Sequence, residues 1–258
     1  MKLLIHKEKR QVIDGREHIV GDEMHYFVTD LNKDVDTKYG RIAKEDLKKP
    51  SGSVVLTKDT KKEFILFDAD YIDQYKRLRK LPQTIPLKDI GLIIGESGIN
   101  HESTVVDSGL GSGALAIALA RIVKHVTSYE VREDHIAVSQ ENITAAGIKN
   151  ITVKHKSIYD GIDETNADLI TFDLPEPWKA VAHAGGALRV GGFLVSYSPS
   201  IIQANEFAAE IMKDERFLLL KTVEIIERLW ETEGRKVRPK STGIGHSGFL
   251  TFARKIKA

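Results

Sequence analysis

The 258-residue sequence predicts an α/β protein: a doubly wound sheet of seven strands preceded by a small β-domain. Three observations lead there. Beyond residue 100, short apolar runs alternate with helical patterns, which marks repeated βα units and a parallel sheet. The last two strand candidates have no helix between them, so they should pair antiparallel and make the sheet mixed. Before residue 70 there are only short strands separated by turn signals.

The elements follow in chain order. Tyr26–Val28, Ser53–Leu56 and Phe64–Leu66 are short apolar runs. Asp14-Gly15, Tyr39-Gly40, Pro50-Ser51-Gly52 and Lys61-Lys62 separate such runs, as turns do. Close spacing of this kind indicates a small β-domain, with a barrel as one way of closing it. Tyr71–Leu81 reads as a helix or linker with a basic cluster, and Pro82 and Pro86 then break the chain. We place the boundary here, with a β-rich domain over 1–75 and a larger domain over 76–258. In the larger part, Thr104–Asp107 is a strand, a glycine loop follows, and Ala114–Val123 is a helix. His125–Val131 is a strand, Arg132–Ala146 a helix ended by Gly147, and Ile151–His155 a strand. Ala167–Phe172 is the fourth strand, and Pro175 and Pro177 open a helix to Leu188. Gly191-Gly192 leads into strand Phe193–Ser198, and Ser200–Lys213 is a helix. Leu218–Trp230 and Gly248–Ile256 are the closing strands.

Composition excludes several classes. Forty-one per cent hydrophobic and 29% charged residues describe a globular chain, not a disordered one. No apolar run reaches the ~20 residues of a membrane span. The apolar start of MKLLIHKEKR is cut short by Lys7, shorter than the roughly 7–15 residues of a signal peptide core. A cytoplasmic protein without membrane contact is therefore expected. Cysteine is absent, which removes thiolate zinc sites, iron–sulfur clusters and a thiol nucleophile; no metal is expected. The net charge of +1 hides an uneven distribution. Residues 1–82 carry 18 basic and 15 acidic side chains, residues 83–220 carry 11 and 18, and residues 221–258 carry 9 and 4. Basic ends around an acidic middle suit a polyanion held by the ends, though ordinary surface variation gives the same counts.

Two motifs carry chemistry. Asp107-Ser108-Gly109-Leu110-Gly111-Ser112-Gly113 sits between the first strand of the larger domain and its helix. Glycines let a ligand approach bare backbone, and the helix start offers free N–H groups. A dinucleotide fingerprint is G-x-G-x-x-G. Here the spacing is G-x-G-x-G with Ala114 after it, which disfavours a nicotinamide oxidoreductase. Glu130 ends the next strand, 17 residues after Gly113, where a carboxylate can take both hydroxyls of a ribose. The second motif, Asp173-Leu174-Pro175-Glu176-Pro177-Trp178, follows the fourth strand, at the edge where such sheets bind ligands. An acid on a proline-fixed loop beside an apolar ring suits an amino group on a flat base. Taken alone, the same residues are also a helix N-terminus capped by Asp173.

The glycine loop with Glu130 looks like the S-adenosylmethionine site of a class I methyltransferase. Asp173–Trp178 resembles the D/N-P-P-x motif of amino-group and ring-nitrogen methyltransferases. With the tail Arg238–Lys255 (RPKSTGIGHSGFLTFARK), these motifs resemble the tRNA adenine-N1 methyltransferase family of the TrmI type, archaeal members included. The similarity covers most of the chain, Gly40-Arg41-Ile42, Gly52–Val55 and Gln83–Asp89 among it. It implies a Rossmann-like catalytic domain, a small N-terminal β-domain for RNA binding or assembly, and a homotetramer. The activity it implies is methyl transfer from S-adenosylmethionine to N1 of adenine 58 in the T-loop of tRNA, with adenine 57 as a second target in some archaeal members.

The resemblance also implies residue roles. Gln83, Asp107, Gly109, Gly111, Ser112, Gly113, Glu130, Arg132, Ser157 and Asp173 would form the cofactor site, with Asp173 also the catalytic aspartate. Leu174, Pro175 and Pro177 would shape the adenine pocket, and His246 would stand near its mouth unless it only stabilises a turn. Arg238 and Lys240, with Lys76, Arg77, Arg79, Lys80, Arg235 and Lys236, would face tRNA phosphates. Two departures stand out. Ser157 occupies the place of an acid that holds the cofactor's adenine, so weaker cofactor binding is expected. Pro86-Leu87-Lys88-Asp89 lacks the aromatic or histidine expected near the target base. Two other readings compete: a non-catalytic tRNA-binding subunit, and a class I methyltransferase acting on another substrate.

Overall fold

The computed structural model describes residues 1–14, 16–233 and 236–258. Arg235 lies outside the described residues, as does the side chain of Lys236. The chain divides into two compact units, Met1–Arg77 and Leu78–Ala258.

In the first unit, Lys2–His6 pairs antiparallel with Met24–Val28 on one side and Glu63–Asp68 on the other. Ser53–Leu56 adds outside Glu63–Asp68, giving a four-stranded sheet. Its outer strands do not pair with each other, so the sheet stays open instead of closing into a barrel. Lys9–Ile13 with Arg16–Gly21, and Val35–Thr37 with Gly40–Ile42, form two further hairpins. Leu4, Val28, Ile42, Leu47, Val55, Phe64 and Leu66 make the unit's core.

The second unit holds a seven-stranded sheet. Its strands are β1 (Thr104–Ser108), β2 (His125–Glu130), β3 (Ile151–His155), β4 (Ala167–Phe172), β5 (Leu188–Ser198), β6 (Phe217–Glu224) and β7 (Phe249–Lys255), in the order β3-β2-β1-β4-β5-β7-β6. The first five are parallel, and β7 runs antiparallel between β5 and β6. The mixed sheet is the one the sequence predicts. Helices α1 (Leu87–Ser97), α2 (Ala114–Ala120), α3 (Glu133–Ala145), α4 (Val181–Ala187) and α5 (Ile201–Lys213) connect and cover it. β1 and β4 are buried along nearly their whole length, which is why they read as apolar runs and not as alternating ones.

Several boundaries move, each for a local reason. β5 starts at Leu188, with Gly191-Gly192 inside it. Gly191 takes φ +85°, and a side chain on Gly192 would press on the carbonyls of Ala167, Asp168 and Arg189. The glycines therefore carry an irregular stretch of strand. The helix expected from Pro175 is a 3-10 turn, Pro177–Ala180, followed by α4. α2 stops at Ala120, not Val123. The long strand expected over Leu218–Trp230 ends at Glu224, and Trp230–Glu233 pairs instead with Lys236–Pro239 as a separate hairpin. No helix among the described residues is long and apolar enough to cross a membrane.

The topology brings distant residues to one edge. Ser108, Glu130, His155 and Phe172 end parallel strands, and Ser198 and Glu224 end β5 and β6 there too. Because β7 is reversed, its first residue, Phe249, pairs with both Ser198 and Glu224. The loop before β7 therefore reaches the edge where the glycine loop begins. Phe172 and Phe207 meet edge to face with ring centroids 6.3 Å apart in the core beneath. Phe172→Ala is expected to cost about 3–5 kcal/mol, read as a lower midpoint in denaturant unfolding.

Candidate active site

The glycine loop turns sharply where β1 ends. Gly109, Gly111 and Gly113 all have positive φ, at 80°, 52° and 79°. Gly109 is the most constrained: its N–H donates to the Tyr129 carbonyl, 3.1 Å, and a Cβ there would overlap the carbonyl of Asp173. The Asp173 N–H in turn donates to the Ser108 carbonyl, 3.0 Å. β1 and β4 thus finish in backbone contact, which fixes where the Asp173 side chain begins.

Glu130 ties the second strand to the same loop. One carboxylate oxygen accepts from the Gly111 N–H, 3.0 Å, and the other from the amides of Val131 and Arg132, 2.9 and 3.0 Å. His135 approaches it at 3.5 Å. Ser112 is held from behind: buried Asn142 donates to its carbonyl, 2.8 Å, and to that of Arg79, 3.0 Å. Gln83, just beyond, takes φ 63°, a left-handed conformation that a non-glycine residue adopts only where its surroundings impose it.

Two cavities meet at Asp173. One, about 410 Å³, is walled by Gln83, Gly109, Gly111, Glu130, Arg132, His135, Lys156, Ser157, Tyr159, Asp173, Leu174 and Pro175, among others. The second, about 260 Å³, lies on the other side, between Gln83, Thr84, Pro86, Asp173, Tyr197, Pro199, Ile244, His246 and Ser247. Ser112 walls a smaller pocket that also reaches Asp173. The structure thus gathers most of the expected site residues around one aspartate.

Others stand apart from the cavity walls. Asp107 is buried in β1, its two oxygens accepting from Ser128 Oγ, 2.5 Å, and Thr171 Oγ1, 2.8 Å. Hydroxyls of neighbouring strands thus occupy the carboxylate expected at the cofactor, and burial pushes this carboxyl upward. Gly113 supplies the turn into α2, where a side chain would press on Ser139. Pro177 is buried in the turn after the motif. Arg238 pairs with Glu231 across the separate hairpin, 3.0 Å, and Lys240 is exposed after it. Neither lines a cavity at Asp173. Arg132 contributes to the wall but its guanidinium is paired with Asp134, 2.7 Å. Ser157 caps a 3-10 turn, accepting from the Tyr159 N–H, 3.2 Å, which leaves its hydroxyl proton available to a ligand.

The electrostatics single out Asp173. Burial, then the nearby charges of Asp107 and Glu130, push its carboxyl up to about 8. No hydrogen bond to this carboxyl from the described residues offsets the effect. His246 shifts upward for the opposite reason. Glu224 Oε1 lies 2.6 Å from its Nδ1 and the Pro199 carbonyl 2.9 Å from its Nε2, so both ring nitrogens face acceptors and the cation is favoured. Sequence reasoning singles out neither His135 nor Tyr197, and takes Ser247 only as part of the tail motif; all three reach the site through the fold.

A sheet of this order, with a glycine loop after β1 and a free acid after β4, defines a Rossmann-like methyltransferase. Residues 77–241 match the family described as tRNA methyltransferase complex GCD14 subunit, and the chain belongs to that family. It is 32% identical to the tRNA (adenine(57)-N(1)/adenine(58)-N(1))-methyltransferase TrmI of Methanocaldococcus jannaschii, over 93% of this chain and 92% of that relative. It is 35% identical to the tRNA (adenine(58)-N(1))-methyltransferase TrmI of Thermus thermophilus, over 70% of this chain and 72% of the other. The crystal structure of tRNA (m1A58) methyltransferase TrmI from Aquifex aeolicus shares the fold, with TM-score 0.77 at 21% identity over 100% of this chain and 98% of that one. A Thermotoga maritima SAM-dependent O-methyltransferase shares it as well, with TM-score 0.81 at 24% identity over 100% and 93%.

Two outcomes follow from this geometry. Gly109→Ala should weaken S-adenosylmethionine binding by about tenfold or more in calorimetry, because the loop must leave Asp173 to admit a methyl group. Asp173→Asn should stabilise the ligand-free protein increasingly as pH rises. Between an ordinary carboxylate value of 3.8 and the native value of about 8, the folded wild type holds a proton that the unfolded chain has lost. Its stability therefore falls with rising pH across that window. Denaturant midpoints of the two proteins should separate progressively from pH 5 to pH 8.

Proposed function

We propose that the protein transfers a methyl group from S-adenosylmethionine to N1 of adenine 58 in the T-loop of tRNA, with adenine 57 a second target. The observation that carries this reading is the position of Asp173, an acid that accepts no hydrogen bond from the described residues and that borders two cavities. The larger cavity fits the cofactor. Its size is that of a small-ligand site, Gly109 and Gly111 bring side-chain-free backbone to its wall, and the Glu130 carboxylate stands there for vicinal hydroxyls. Gln83, Gly109, Gly111, Ser112, Glu130 and Ser157 are the residues that would hold it. Bound there, S-adenosylmethionine supplies a methyl group made electrophilic by the adjacent sulfonium.

The chain's own task is alignment and exclusion of water. N1 of adenine is already nucleophilic, so no strong base is needed to begin. Asp173 accepts from the exocyclic amine, fixes the plane of the ring and stabilises the positive charge that develops on it. Positive charge entering the larger cavity opposes the upward push of Asp107 and Glu130, so Asp173 meets the base as a carboxylate. Leu174 and Pro175 shape the loop beside the base, and His246 closes the second cavity from the tail. The target base leaves its stack to reach this cavity, as buried nucleobase chemistry requires. The exposed basic residues of the tail, Arg238 and Lys240 among them, hold phosphate, and the first unit adds RNA binding or assembly contacts. The assembly we infer is a homotetramer in the cytoplasm. A non-catalytic role would leave Asp173 and its two cavities without a use.

Incubation with labelled S-adenosylmethionine and unmodified tRNA, followed by mapping of the labelled base, tests the reading. Label at N1 of a T-loop adenine supports it, and transfer to protein or small molecules but not tRNA overturns it. Asp173→Ala is expected to retain cofactor binding by calorimetry and to lose most methyl transfer; full activity in that variant would remove Asp173 from the mechanism.

A further inference from the structure

Lys88 and Asp89 open α1, and Ser247 lies just before β7, 158 residues later in the chain than Asp89. The three close a triangle. Lys88 Nζ reaches both oxygens of Asp89, 2.9 and 3.0 Å, and Ser247 Oγ, 2.6 Å. Ser247 Oγ donates to Asp89 Oδ2, 3.0 Å. Asp89 is only 1% exposed. Tyr197, on β5, donates its hydroxyl to the Ser247 carbonyl, 2.5 Å, and its ring lies where a side chain on Gly248 would stand. Ser247 and Tyr197 both wall the second cavity at Asp173.

A buried ion pair between consecutive residues fixes nothing tertiary by itself and adds little stability against an apolar pair of equal volume. What this one does hold is Ser247. A directional contact there fixes the course of the tail just before it enters β7. His246 is anchored separately, to Glu224 and the Pro199 carbonyl. Two neighbouring residues of one loop are thus pinned to α1, β5 and β6 at once, on the side of Asp173 away from Glu130.

We propose that Asp89 is a positioning residue for the target base. Through Lys88 and Ser247 it holds the Ile244–Ser247 wall at the distance from Asp173 that an adenine ring requires. The inference rests on the methyl-transfer reading above, and it concerns the base cavity alone, so the cofactor side should be indifferent to it.

The test uses the full chain and three variants. Ser247→Ala leaves the buried ion pair intact and cuts only the link, so it should fold. Its kcat/KM for tRNA should fall about tenfold or more, because small misplacements of a reacting base are costly. Its calorimetric Kd for S-adenosylmethionine should change less than twofold. Ser247→Thr, which keeps the hydroxyl, should restore turnover. Asp89→Asn should raise hydrogen exchange across residues 243–248 while β1 and β4 stay protected. Wild-type kcat/KM in Ser247→Ala, equal losses of cofactor affinity and turnover, or unchanged exchange in Asp89→Asn would each overturn the proposal. A wild-type protein that methylates no tRNA would instead defeat the functional reading, and the exchange measurement would then decide whether the triangle holds the wall.

Discussion

Gly109 and Asp173 meet backbone to backbone where β1 and β4 end side by side, and the distance between them leaves no space for a β-carbon. Ser108 accepts from the Asp173 amide on one side of this contact, and Tyr129 accepts from Gly109 on the other. The glycine loop and Asp173 are thereby one rigid object. Glu130 extends it, because its carboxylate is fastened to Gly111 by a hydrogen bond. The relative placement of the glycine loop, Glu130 and Asp173 is then set by strand pairing in the sheet.

Charge is arranged on that object with the same economy. Asp107 sits beneath the loop, its oxygens accepting from Ser128 and Thr171, while burial pushes its carboxyl upward. Glu130 adds to that push from β2. Asp173, to which no described residue donates a hydrogen bond, has its carboxyl pushed up to about 8. A cation entering the larger cavity would be attracted by the Glu130 carboxylate in its wall, while a neutral group would not. The same field that makes an isolated Asp173 reluctant to ionise therefore helps to distinguish what should enter from what should leave.

The fold class was legible because its signals are local. Val105-Val106, the glycines from 109 to 113 and Glu130 lie within 26 residues and follow the period of a βα unit. Asp173 could be singled out for the same reason, as an acid directly after an apolar strand. Lys88, Asp89, Tyr197 and Ser247 could not be joined by such reasoning, since they come together only through the reversed insertion of β7. The misplaced elements share another cause. Gly191-Gly192 reads as a turn but carries an irregular strand, and the 225–229 interruption within an apolar run is set by where β7 begins. Asp107 shows the limit for side chains: position in a motif gives its height in the sheet, and only the neighbours on β2 and β4 decide where its oxygens are spent.

The insertion of β7 between β5 and β6 also has a kinetic side. Strands β1 to β4, with the glycine loop and Glu130, pair through contacts of modest sequence separation and can close early. β6 has no place in the sheet until β7 arrives, and β7 is the last strand in the chain. The contacts around the glycine loop and Glu130 can therefore form before those around the second cavity, whose wall depends on β7. The wall formed by Ile244, His246 and Ser247 is thus completed only as β7 takes its place between β5 and β6.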